Sequence, residues 1–133
     1  MIFDTNALSA FVDGDGAIGI VLRHQKRVAI PVIVLGEYRY GIARSAHRRD
    51  YENWLKGNLG LFEVLNITEA TTPFYATVRG VLKDVGRPIP ANDAWIAALA
   101  MEHALPILSL DRHFDAVAGI RRVSWRRETA SDT

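Results

Sequence analysis

The chain has 133 residues, which is enough for one compact domain. Hydrophobic residues make up 49% of it and charged residues 23%, a balance that excludes a wholly disordered chain. The absence of cysteine excludes disulfides, iron–sulfur clusters and thiol nucleophiles, and the net charge of +1 excludes the large basic field of a DNA-coating protein.

Short apolar runs alternate with segments of helical periodicity along the chain. In chain order we predict a strand at 1–3, helices at 7–12 and 17–24, a strand at 28–30, helices at 32–44 and 47–59, a strand at 62–67, a helix that begins after Thr68 or Thr72 and ends near residue 85, a helix at 92–104, a strand at 107–108, a turn at 111–114 and an edge strand at 121–125. This alternation predicts an α/β domain with a mainly parallel sheet of four or five strands. We assign residues 1–126 to that single domain and 127–133 to a polar, flexible tail.

No apolar run approaches the roughly 18 residues that a membrane span requires. The first residues lack the basic start of a secretion signal, since Asp4 follows directly on three apolar residues. We therefore expect a cytoplasmic protein without a membrane partner.

Four acidic residues stand in otherwise apolar contexts. Asp4 directly follows the first strand, Glu37 borders an apolar helix stripe, Asp93 lies in the first turn of the most apolar helix, and Asp111 follows the fourth strand. Each has a structural interpretation when taken alone, as a helix cap, an ordinary helical residue, a helix-dipole partner or a turn residue. Taken together they are expected to converge, because sites of open α/β sheets lie beyond the carboxyl ends of the strands.

Clustered carboxylates repel one another, by about 4 kcal/mol for a pair about 4 Å apart at an effective dielectric constant near 20. A bound cation removes this penalty, and oxygen ligands without cysteine favour Mg²⁺ or Mn²⁺ over zinc. The chemistry that suits such a site is phosphoryl transfer by a metal-activated water.

Competing signals are weak. Ser109 has no Gly-x-Ser-x-Gly context, and no phosphate-binding glycine loop is present. The four histidines show no metal-protease spacing and are predicted to be surface residues: His24, His47, His103 and His113. The arginine-rich groups fit either solvated faces or local contacts to a phosphate backbone: Arg23/Lys26/Arg27, Arg44/Arg48/Arg49 and Arg121/Arg122/Arg126/Arg127.

Four segments together resemble a known family. They are Asp4-Thr5-Asn6-Ala7-Leu8-Ser9, Gly36-Glu37-Tyr38-Arg39-Tyr40-Gly41, the run 86–98 that begins Gly86-Arg87-Pro88, and Leu108-Ser109-Leu110-Asp111-Arg112-His113-Phe114. The chain resembles PIN-domain proteins, and within them the VapC toxins of bacterial toxin–antitoxin pairs, from residue 1 to about residue 125.

The resemblance implies a three-layer α/β/α PIN-like domain and an endoribonuclease that depends on Mg²⁺ or Mn²⁺. It also implies a homodimer and a small antitoxin that blocks the site. The acids that fall on the family's metal-binding positions are Asp4, Glu37, Asp93 and Asp111. The groups implied to orient the ligands or a water are Asn6, Asn92 and Ser109; Asp115, one turn after Asp111, is the alternative to it as the fourth acid. Asp111 is preferred because it is nearer the strand end and in the family's Asp-x-x-Phe context.

Two other functions remain open. One is a PIN-like module that binds RNA or a protein partner without cleaving anything. The other is a metal-dependent phosphatase that acts on small substrates.

Overall fold

A computed structural model of the protein describes residues 1–128, whose central feature is a parallel sheet. Its five strands are β1 (Ile2–Phe3), β2 (Ala29–Pro31), β3 (Glu63–Leu65), β4 (Ile107–Leu108) and β5 (Arg122–Val123). They lie in the order β3-β2-β1-β4-β5, and each neighbouring pair is parallel. From β1 the chain adds β2 and β3 on one side of the sheet and then crosses back to add β4 and β5 on the other side. The direction of strand addition therefore reverses between β1 and β4.

Six α-helices connect the strands. They are α1 (Thr5–Val12), α2 (Gly16–Leu22), α3 (Val32–Ile42), α4 (Arg48–Asn58), α5 (Thr72–Asp84) and α6 (Ala91–His103). Helix α1 contacts α2 and α3, α3 contacts α4, and α5 packs along α6. With right-handed crossovers, the reversal at β1 places α1 to α4 on one face and the α5–α6 pair on the other. The predicted α/β class, the three layers and the mainly parallel sheet of four or five strands are confirmed, and the sheet has five strands, all parallel.

The core sits between these layers. Helix α6 is apolar on nearly every side, and its residues 96–100 are buried. On the other face of the sheet, Phe3 and Phe11 pack edge to face with ring centroids 5.7 Å apart, and Trp54 and Phe62 extend the same cluster. Because both faces are covered, the three central strands β1, β2 and β4 are continuous, buried apolar runs.

Several predicted elements are longer than the observed ones. The strands predicted at 62–67 and 121–125 are Glu63–Leu65 and Arg122–Val123, and the helix predicted at 17–24 ends at Leu22. The edge position of β5 is as predicted. After Val123 the chain leaves the sheet, because Trp125 turns inward and its Nε1 donates to Asp15 Oδ2 at 3.2 Å.

The segment predicted as a polar tail is only partly described, since residues 129–133 lie outside the described range. Within that range, Glu128 bonds to Arg122 and Arg112, so the domain's contacts reach at least this far. Among residues 1–128, no helix is both long and apolar enough to cross a membrane.

Candidate metal centre

The carboxyl edge of the sheet holds a pocket of about 420 Å³. It is lined by Asp4, Thr5, Asn6, Ser9, Glu37, Asp93 and Asp111. The four acids that the sequence singled out thus come together from β1, α3, α6 and the residues after β4. Their role as metal ligands remains a proposal.

Asp4 lies at the centre of this edge and is only 5% exposed. It caps α1, since its Oδ1 accepts from the backbone N–H of Thr5 at 2.8 Å, and its Oδ2 accepts from Ser109 Oγ at 2.6 Å. Burial raises the pKa of Asp4, the bonds from Ser109 and Thr5 oppose that rise, and repulsion from Asp93 and Asp111 adds to it. The ionised carboxylate therefore lacks full compensation from the protein.

Ser109 joins the first and fourth strands at the pocket. It is fully buried, and its Oγ also accepts from the backbone N–H of Asp111 at 2.9 Å. Asn6 adds a weaker link, because its Nδ2 lies 3.4 Å from both Asp4 Oδ2 and Ser109 Oγ, and its Oδ1 accepts from Leu110 N–H at 3.3 Å. Both residues form hydrogen bonds at the acidic pocket, and the orienting role that the resemblance implied for them stays a prediction.

Glu37 reaches the pocket from α3 and carries the clearest sign of a missing partner. Its Oε1 is buried and has no hydrogen-bond partner within residues 1–128, and the same is true of Thr5 Oγ1 beside it. Burial raises the pKa of Glu37, and repulsion from Asp4 and Asp93 raises it further, while the nearby Thr5 and Asn92 side chains oppose the rise. A buried carboxylate oxygen without a donor is costly, and a cation satisfies it.

Asp93 and Asp111 share a neighbour that the sequence did not assign to the site. His113 Nδ1 lies 3.2 Å from Asp93 Oδ2 and 3.1 Å from Asp111 Oδ1. The prediction that His113 is a surface residue is therefore incomplete, since its side chain is 51% exposed but contacts both acids. The signal was its position two residues after Asp111 in a segment already singled out.

Burial raises the pKa of Asp93, the hydrogen bond from His113 opposes this, and repulsion from Asp111 adds to it. One atom from each of Asp93, Asp111 and His113 lies within 4.8 Å of the others, a spacing that allows all three to reach one ion. Carboxylate oxygens with at most one imidazole fit a hard divalent cation such as Mg²⁺ or Mn²⁺.

The alternative fourth acid, Asp115, lies away from the acidic pocket. The carboxylate of Asp115 forms a bidentate pair with Arg122, at 2.8 Å to Nε and 3.0 Å to Nη2, so the structure places Asp111 rather than Asp115 at the pocket. Asn92 is exposed and lines a neighbouring depression with Glu37 and Tyr40. A larger groove of about 530 Å³ at the end of α5 is lined by residues between 79 and 89 and has no acidic side chain in its wall.

Comparisons with known proteins agree with this fold. The PIN domain model matches residues 1–120. Ribonuclease VapC5 of Mycobacterium tuberculosis is 32% identical over 99 residues, which cover 73% of this chain and 73% of that protein. The structure of VapBC-5 from Mycobacterium tuberculosis, a member of the VapBC family of toxin–antitoxin systems, is 30% identical with a TM-score of 0.69 and covers 92% of this chain and 94% of that one. VapBC2 from Rickettsia felis, solved bound to a DNA fragment from its promoter, has a TM-score of 0.84 at 23% identity over 95% of this chain and 100% of that one, a likeness of fold.

Proposed function

The chain belongs to the PIN-domain family, and we propose that it is a VapC-type endoribonuclease, the toxin of a toxin–antitoxin pair. The observation that carries this is the convergence of Asp4, Glu37, Asp93 and Asp111 on one pocket at the switch point of the sheet. A relative named as a ribonuclease and 32% identical supports RNA as the substrate.

We propose Mg²⁺ or Mn²⁺ as the cofactor. Asp4 and Asp93 would hold it most directly, and Glu37 and Asp111 directly or through a water. With such an ion bound, the carboxylates would be neutralised, and the site would gain the acidity that turns water into a nucleophile and a positive charge that offsets charge on the phosphodiester.

The chain's own residues supply the positioning. Ser109 and the Thr5 N–H fix Asp4 from two sides, so that its carboxylate does not turn away from the pocket. The unpartnered Glu37 Oε1 is available to accept a hydrogen bond from the attacking water and align it with the phosphorus. No side-chain nucleophile is required.

The partners follow from the same family. VapBC structures contain a toxin with its antitoxin, and we propose that a small antitoxin covers the acidic pocket of this chain and that the chain forms a homodimer. A cytoplasmic location stays a prediction.

An RNA cleavage assay tests the proposed function. Total RNA is incubated with the full chain and Mg²⁺ or Mn²⁺, with a chelator control and with Asp4→Asn. The matched control is Asp84→Asn, which removes an exposed acid at the end of α5. We expect discrete fragments from the wild type and Asp84→Asn only. Phosphate release from small esters with intact RNA would instead support the phosphatase, and RNA binding without cleavage would support the binding module.

A further inference from the structure

A second pocket lies beside the acidic one and has the opposite charge. It has a volume of about 360 Å³. Its walls, which we call the arginine pocket, are Leu110, Arg112, Ser124, Arg126, Arg127 and Glu128. Nothing in the roles assigned above to the four acids uses these side chains.

The fold places the arginine pocket next to the acids. Strand β5 is parallel to β4, with Leu108 opposite Val123, so the residues after both strands emerge at the same edge of the sheet. Leu110 in the pocket wall donates its N–H to Asn6, which lines the acidic pocket. Arg112 directly follows Asp111, one Cα step of about 3.8 Å away.

The arginine pocket has a surplus of positive charge. Its single acid, Glu128, is already bonded to Arg122 at 2.6 Å and to Arg112 at 2.9 Å. Arg126 and Arg127 are exposed and form no ion pair within residues 1–128. Two arginines of the pocket wall therefore have no ion-pair partner in the described part of the chain.

A nuclease with an acidic centre needs such a surface, because the carboxylates that hold a cation also repel the backbone of the substrate. Guanidinium groups suit phosphate, since their planar donors match its oxygens in pairs. We propose that the arginine pocket binds a backbone phosphate of the RNA strand adjacent to the phosphodiester that is cleaved. This rests on the proposed function. RNA is favoured over an acidic peptide because the pocket directly adjoins the place where the scissile phosphate must lie.

Binding of RNA at varied salt concentration tests the proposal. The full chain carries Asp4→Asn to prevent cleavage, and the probes are two fluorescein-labelled single-stranded RNAs of equal length, one of mixed sequence and one poly(U), followed by anisotropy. Arg126→Gln and Arg127→Gln are compared with Arg23→Gln, an exposed arginine that precedes β2 at the opposite edge of the sheet. All three remove one positive charge.

Each phosphate contact in a single strand contributes about 0.7 to the slope of log affinity against log salt. We expect Arg126→Gln and Arg127→Gln each to reduce the magnitude of that slope by about 0.7. Each should also weaken binding about fivefold at about 0.1 M salt, by the same factor for the mixed-sequence and the poly(U) RNA. Arg23→Gln should bind as the parent does.

Unchanged affinity and slope in both variants, or an equal loss in Arg23→Gln, would overturn the proposal and leave the pocket to a protein partner. The proposed function is judged separately, by cleavage with Asp4 intact. Absence of RNA cleavage would remove the proposed function, whereas cleavage combined with parental RNA binding by the arginine variants would remove only this inference.

Discussion

At the scale of the residue, Asp4 serves both fold and site. Its Oδ1 caps α1 while its Oδ2 is held by Ser109, and yet burial and two neighbouring acids raise its pKa. A residue that stabilised the protein only as a cap would gain no benefit from lying beside other carboxylates. The proposed cation, shared by the acids, would account for its position.

Replacement of Asp4 by asparagine separates these roles. Asn keeps an oxygen for the cap but loses the charge, so we expect cleavage to fall at least about a hundredfold. The free energy of unfolding of the metal-free protein should stay within about 1 kcal/mol of the wild-type value or exceed it, because the repulsion is relieved. Urea denaturation measures the free energy of unfolding, and an RNA cleavage assay measures the activity. A loss of stability above about 2 kcal/mol would mean that Asp4 is mainly structural.

His113 should report metal binding directly. Its Nδ1 lies within 3.2 Å of both Asp93 and Asp111, so an ion held by those carboxylates changes its surroundings. We expect Mg²⁺ to shift the ring resonances of His113 in NMR spectra and to leave His24 unaffected, since His24 lies before β2 at the other edge of the sheet. Equal shifts of both rings, or no shift at His113, would contradict metal binding by Asp93 and Asp111.

Three of the acids were predictable from their places in the predicted elements, because Asp4 and Asp111 follow strands and Asp93 lies in the first turn of a helix. Glu37 lies inside α3, where only its position beside an apolar stripe marked it. The contacts of His113 and Asp115 could not be predicted from the sequence. Both lie in the short 3₁₀ segment Arg112–Ala116, where one side chain turns to the acids and the other to Arg122. That choice depends on where β5 brings Arg122, which local sequence does not encode.

At the scale of the element, Arg122 fastens the edge strand to the site. Its side chain is 6% exposed, its Nη1 donates to the carbonyl of Ser109 at 3.1 Å, and it pairs with Asp115 and Glu128. The two carboxylates raise its pKa further above an already high value, so it stays charged. The guanidinium of Arg122 thus links the end of β4, the 3₁₀ segment and the chain after β5.

Arg122→Met should be destabilising, because it leaves a carbonyl and two carboxylates without their donor. We expect a loss of about 2 kcal/mol, less than for a fully buried pair since Asp115 and Glu128 remain in contact with water. Arg121→Met is the control, as Arg121 is exposed and forms no ion pair among the described residues. Urea denaturation measures the free energy of unfolding of both variants. Equal losses of stability would mean that Arg122 does not hold β5 to the rest of the sheet edge.

The elements themselves followed from periodicity, with errors at their ends. The parallel class was predictable because short apolar runs alternate with helices. The early end of β5 was not, because it is set by Trp125 packing inward against α2's cap residue Asp15. Such long-range contacts override local strand propensity.

At the scale of the whole molecule, we expect the acidic site to make the free energy of unfolding depend on pH. Burial and mutual repulsion raise the pKa values of Asp4, Glu37 and Asp93 above their ordinary values of 3.8 and 4.5. The folded protein then binds more protons than the unfolded chain just above those values. Stability of the metal-free protein should therefore rise as pH falls from neutral towards about 5.

Glu63 and Glu128 act in the other direction, because ion pairs with arginine lower their pKa values. Their contribution to stability is lost only as pH falls below 4.5, and both are exposed, so they do not cancel the rise in stability at higher pH.

Saturating Mg²⁺ should remove the rise in stability between neutral pH and about 5, since it keeps the carboxylates of the acidic pocket ionised. Thermal unfolding across this range with Mg²⁺ or a chelator tests the expectation, and metal-free melting temperatures that fall steadily from neutral pH would contradict it.

We propose that separate acids form one binding site for a divalent cation, and calorimetric titration with Mn²⁺ measures that binding. The wild type and Asp84→Asn should bind with the same affinity, while Asp93→Asn should bind at least about tenfold more weakly. Mn²⁺ binding by Asp93→Asn as tight as that of the wild type would mean that Asp93 is not part of such a site.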